Sequence, residues 1–144
     1  MELTIDFNEV MRHLALLGVA FVLALPIALN REHSAEGAGL RTFPLVTIAS
    51  CAFMLVGISV YEGSDAEARV MYGIITGMGF IGGGSIIKTD SGASGTATAA
   101  GIWLTGAIGL SVAYQRYEVG LVLSVVGFLI FQLSGVLKDR VKGR

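Results

Sequence analysis

Charge is what this sequence has least of. Of 144 residues only 15% are charged, against about 25% in soluble domains. So few charges cannot cover a water-exposed sphere. With 53% hydrophobic residues and a mean hydropathy of +0.73, the chain reads as one compact membrane domain. No cluster of Lys and Arg is large enough to grip nucleic acid, and no nucleic-acid partner is expected. The single cysteine, Cys51, lies inside an apolar run, which excludes an intrachain disulfide or a thiolate metal site and leaves a buried, inert thiol. Nucleophile–base pairs, zinc-ligand spacings and a glycine loop followed by Lys-Ser/Thr are missing too, so neither an enzyme nor a cofactor is expected. Gly77–Gly82, GMGFIG, matches a dinucleotide fingerprint only formally, because it sits inside an apolar run. The first residues are acidic where a signal peptide would be basic, so the first apolar run is read as a retained span.

What is present is glycine. Tyr72–Ile87 reads YGIITGMGFIGGGSII, with six glycines and no charge. In water each interior glycine costs a helix about 1 kcal/mol relative to alanine. In a bilayer the peptide groups have no other partner, and glycine lets a neighbouring backbone come close. Gly73-x-x-x-Gly77 and Gly79-x-x-x-Gly83 put small residues on nearly one face. Tight helix contact is therefore expected at Gly73, Gly77, Gly79, Gly82, Gly83 and Gly84.

Apolar runs bounded by charge fall at 14–29, 43–61, 70–87, 97–114 and 119–137. A span takes roughly 20 residues, with a range of about 17 to 25. The sequence thus predicts an all-α membrane bundle of about five transmembrane helices, with four spans plus a re-entrant segment as the rival arrangement. Five spans put Arg12, Arg69 and Arg116 on one side, and Arg31, Arg41, Lys88, Lys138, Arg140, Lys142 and Arg144 on the other. The excess places the second side, with the C-terminus, in the cytoplasm and the N-terminus outside. The basic tail would lie along anionic headgroups.

Local signals set further expectations. Ser64 and Glu67 read as a capping box for the third span and Thr96 as the N-cap of the fourth. Pro26 should bend the first span, and residues 88–95, KTDSGASG, should form a short polar turn.

Candidate polar sites lie near both ends of the spans. The first loop holds Arg31, Glu32, His33, Arg41 and Thr42. Its guanidinium groups suit a phosphate or carboxylate, and Gly37 and Gly39 would expose backbone N–H groups to it. The bland alternative is that these charges only anchor the loop at the lipid surface. At the other end Asp65 and Arg69, four apart, could pair on one helical face. Glu62, Asp65 and Glu67 could instead offer oxygen ligands to Mg²⁺, though without a diagnostic spacing. No ionisable group falls in the middle of a span, where an ion or proton pathway would show itself. Thr76, Ser85, Thr98, Thr105, Ser111 and Gln132 remain as polar groups at depth, expected to bond between helices at about 0.6 kcal/mol each. Trp103 is expected to pack between helices.

Four stretches resemble the MgtC/SapB family of bacterial inner-membrane proteins. They are REHSAEGAGLRTFPLV (Arg31 to Val46), DAEARVMYGIITGMGFIGGGSII (Asp65 to Ile87), GTATAAGIW (Gly95 to Trp103) and LTGAIGLSV (Leu104 to Val112). Matching positions are Arg31, Glu32, Gly39, Arg41, Thr42, Asp65, Arg69, Gly77, Gly79, Gly82, Gly84, Thr98 and Trp103. Departures are Asn30 where the family often has an acid, Phe43 where it has His, and a changed turn before the fourth span. The resemblance implies a polytopic inner-membrane protein linked to survival in low Mg²⁺. Such a protein would modulate a membrane partner such as an F-type ATPase, as a homo-oligomer in the lipid bilayer. A C-terminal cytosolic domain, which some members carry, is not expected here. A small transporter or channel for Mg²⁺ or another solute is the alternative, marked by a mid-depth cavity lined by Thr76, Ser85 and Thr98.

Overall fold

A computed structural model describes residues 5–34, 39–90 and 92–142, with side chains other than those of 33–34 and 138–142. The His33 side chain, Gly37 and the side chains of the basic tail lie outside this description. Five helices are present: α1 (Phe7–Ser34), α2 (Thr42–Val60), α3 (Ser64–Gly84), α4 (Thr96–Ala113) and α5 (Tyr117–Lys142). Each takes in most of one of the five apolar runs, although the run 70–87 outlasts α3 by three residues and the runs 43–61 and 97–114 outlast α2 and α4 by one. The expected polar turn is more ordered than a turn. Strands β1 (Ile87–Thr89) and β2 (Gly92–Ser94) form an antiparallel hairpin between α3 and α4, pairing Ile87 with Ser94.

Four helices, α1, α2, α4 and α5, are long and apolar enough to cross a membrane. Glycines and a charged first turn make α3 less apolar, yet its 21 residues span about 30 Å at 1.5 Å per residue. It lies antiparallel along the whole of α4. Glu67 near its start meets Tyr114 just past the end of α4, and Gly82 near its end meets Ala99 in the first turn of α4. A re-entrant segment would not reach both ends. The chain is thus an all-α polytopic bundle apart from the hairpin.

The helix starts differ from expectation by one residue. Gly63 (φ 94°) precedes α3 and Gly95 (φ 87°) precedes α4, and neither helix has a side-chain cap. Positive φ turns the chain into the helix directly, so Ser64 and Thr96 are first helical residues rather than caps. A Cβ on Gly95 would collide with the Ser85 carbonyl, so only glycine closes the hairpin onto α4. Helix α1 continues through Pro26 to Ser34.

The close-packed seam is on α4, which packs against all four other helices. Its residues Gly101, Thr105 and Gly109 repeat every four positions, one helical face, and all three are buried. A Cβ on Gly109 would strike the Thr47 carbonyl, and one on Gly101 would stand 2.8 Å from Phe43 Cε1. Helices α2 and α4 therefore touch nearly backbone to backbone, with Thr47, Cys51 and Met54 fully buried between elements. The parallel pair α1 and α5 keeps register through Leu23 against Gly120, Ile27 against Gly127, and the Ser124 hydroxyl donating to the Leu23 carbonyl at 2.6 Å.

Candidate functional site

The basic end of the bundle is built where α1 ends, α2 and α4 begin, and α5 passes. Arg31 turns inward. Its Nη2 donates to Thr98 Oγ1 at 3.2 Å, and its Cζ stands 5.1 Å from the centre of the Phe131 ring. Beside it Asn30 Nδ2 donates to Gln132 Oε1 at 2.6 Å. Arg31 Nε is buried and has no hydrogen-bond partner among the described residues. Consecutive helical residues point about 100° apart, so Glu32 faces away from its neighbour. Its carboxylate instead accepts the Leu40 N–H at 2.8 Å, and Gly39 lies against it so closely that a Cβ would overlap Oε2.

Arg41 is exposed at the N-cap of α2, and half-buried Thr42 opens that helix without capping it. Arg31, Glu32 and Arg41 therefore share one end of the bundle but form no ion pair with one another. The grouping read from sequence separates into an inward cation, a loop-fastening carboxylate and an outward cation.

Asp65 and Arg69 sit at the opposite end, both exposed. Their expected pairing is not formed. Among the described residues the ion pairs are Arg12–Glu9 and Arg116–Glu118, with His13 Nε2 standing 3.7 Å from the Glu9 carboxylate. Glu67, free of the expected capping box, accepts the Tyr114 hydroxyl at 2.9 Å. Burial, and then the hydrogen bond and charge of Glu67, raise the Tyr114 phenol above its ordinary range. Glu62 and Asp65 are exposed, and no three acidic, His or Cys side chains among the described residues come close enough to hold a metal.

The glycines of α3 divide. Gly82 packs on Ala99, and a Cβ on Gly79 would lie 3.7 Å from Trp103 Nε1. Among the described residues, Gly73, Gly77, Gly83 and Gly84 have no atom beyond their own helix backbone within 4 Å of a Cβ position. They do not pack within the described bundle, because α3 turns Val70, Met71, Ile74, Ile75, Met78 and Gly82 toward it and leaves these four glycines on its exposed side. Trp103 is likewise not sandwiched between helices. It is 53% exposed, because the opposite side of α4 serves the core, and it lines a groove with Gly79, Gly82 and Ala99. A second groove of about 800 Å³ runs between α2 and α3, walled by Leu45, Phe53, Gly73, Gly77 and Phe80 and floored by Ser50 and Met78.

Most hydroxyls at depth bond to their own helix. Thr76, Ser85, Thr105 and Ser111 donate to the carbonyls of Tyr72, Gly82, Gly101 and Ala107. Only Thr98 and Gln132 of the six bridge helices as expected. Thr76 is exposed while Thr98 is 7% exposed, and none of the described pockets is lined by both. Phe131, Ser124 and the α4 seam went unremarked in the sequence, although the Gly101, Thr105, Gly109 repeat was there to find it.

Three comparisons with known proteins bear on this arrangement. The sequence model described as the MgtC family matches residues 17–140. The chain is 34% identical over 127 residues to the protein named putative magnesium transporter YhiD of Escherichia coli, covering 82% of this chain and 58% of that protein. It is 35% identical over 130 residues to protein SrpB of Synechococcus elongatus, covering 81% of this chain and 70% of that one. It is also 35% identical over 96 residues to protein MgtC of Brucella abortus, covering 67% and 40% respectively. The first of these matches thus spans a little under three fifths of its relative's length. No solved structure matches.

Proposed function

This chain belongs to the MgtC family of multi-pass membrane proteins, and we propose that it is a non-catalytic factor in Mg²⁺ homeostasis that works by docking on a membrane partner. The link to magnesium is supported by the similarity to a relative whose name carries it. The partner is a second copy of the chain or another membrane protein such as an ATPase. The membrane would be the bacterial inner membrane, with the basic end cytoplasmic and the N-terminus periplasmic, a reading that the excess of Lys and Arg at that end supports.

One observation carries the docking reading. Gly73 and Gly77, spaced for helix association in lipid, line the open groove beside α2 with no atom of another described element within 4 Å of a Cβ position, whereas the glycines of α4 are already used inside the bundle. A face that the fold does not need is open for a partner. The transporter reading finds less support, because Thr76 is exposed and Thr76 and Ser85 donate within their own helix, whereas Thr98 is buried against Arg31.

Gly77→Leu tests the reading. It should leave the bundle folded, since a side chain there has room, and should abolish both partner association in native-membrane cross-linking and growth rescue in low Mg²⁺. Wild-type association and rescue in a folded mutant would overturn it.

A further inference from the structure

We propose that Arg31, together with the first turn of α4, forms a site for a phosphate oxyanion at the membrane surface. The guanidinium has no carboxylate partner among the described residues, and the adjacent Glu32 is bound to the Leu40 N–H. A ring face and a hydroxyl hold Arg31 in place but carry no net negative charge. Its Nε is withdrawn from water without a partner among the described residues. Arg31 as a whole is half-buried, and a cation held partly out of water is favoured by a counter-charge beside it.

The group that Arg31 touches makes the deficit larger. Thr98 is the third residue of α4, a helix that starts without a side-chain cap. The N–H groups of Thr96, Ala97 and Thr98 have no acceptor within the helix, and the helix dipole adds partial positive charge there. The Ser85 carbonyl, pressed against Gly95, offsets this only in part. Cation and helix start thus stand together with the same sign. Exposed Arg41 at the start of α2 and exposed Lys88 on β1 add positive charge to the same end of the bundle.

One tetrahedral oxyanion answers both needs. Guanidinium binds phosphate oxygens through its planar fork, and a helix start binds them through backbone N–H groups. Because Arg31 closes the α1 span at the lipid–water boundary, the phosphate can come from a phospholipid headgroup or from the free ion. This site lies apart from the open face of α3, so its failure would leave the docking reading standing.

The test is the melting temperature of the purified full chain in detergent with phosphatidylglycerol, with dioleoylglycerol (the same kind of lipid without phosphate), or with inorganic phosphate at matched ionic strength. The expected result is stabilisation by phosphatidylglycerol and not by dioleoylglycerol, lost in Arg31→Gln. In Arg31→Lys, which keeps charge without the fork, the stabilisation should be smaller than in the wild type. Stabilisation by phosphatidylglycerol alone assigns the phosphate to a headgroup, and stabilisation by inorganic phosphate as well assigns it to the free ion. If Arg31→Gln does not fold, the wild-type arms decide by themselves. Equal response to the two lipids, no response to either phosphate source, or an undiminished response in folded Arg31→Gln would overturn the proposal.

Discussion

The Tyr114 hydroxyl donates to the Glu67 carboxylate at 2.9 Å, fastening the end of α4 to the first turn of α3. This bond ties the most peripheral helix to the central one at the end opposite Arg31. Tyr114→Phe should lower stability by about 1 kcal/mol. Because the folded phenol is held above its ordinary range, folding favours the protonated form. Its contribution is complete below the ordinary tyrosine value of about 10 and disappears as pH rises through the folded value. Melting curves between neutral and strongly alkaline pH should show wild type losing this increment while Tyr114→Phe does not.

Gly109 and Gly73 are both glycines in membrane helices, with opposite expectations. A Cβ on Gly109 would collide with the Thr47 carbonyl and stand 3.0 Å from the Cys51 nitrogen, both backbone atoms that cannot step aside. Gly109→Ala should cost about 1–3 kcal/mol, the usual range for overpacking. Gly73→Ala meets open space and should change stability by less than about 0.5 kcal/mol. Thermal unfolding of both variants in one detergent makes the comparison.

The turn from α4 into α5 offers a stabilising change. Gln115 has φ 56°, with Arg116 N–H bonded to the Ser111 carbonyl and Gln115 N–H to that of Val112. This is the left-handed helix ending that glycine normally fills. Gln115→Gly should raise stability by about 1 kcal/mol by removing the left-handed penalty, read as a higher melting temperature with unchanged helix content.

The five helices were legible because charge-free runs of span length leave a membrane chain few other options. The helix starts were displaced by one residue, since Gly63 and Gly95 do through positive φ what Ser64 and Thr96 were expected to do through hydroxyls. The seam was harder to see. Glycine density drew attention to α3, but density does not say which way a glycine faces. On α4 the same spacing was shared by Gly101, Thr105 and Gly109 and diluted by larger residues, yet that helix occupies the centre. Of the polar candidates, Arg31 and Thr98 are brought into contact from 67 positions apart. Asp65 and Arg69, only four apart, are not paired, because a short spacing permits an ion pair without requiring one.

The proposed docking role means a protein that binds through its outer faces rather than conducting through its middle. Flux measured with the purified chain in sealed liposomes tests this most directly. The prediction is Mg²⁺ and proton flux no greater than in protein-free liposomes, under an imposed gradient and with orientation controlled. Sustained flux that scales with protein content and stops in Thr98→Val would contradict it.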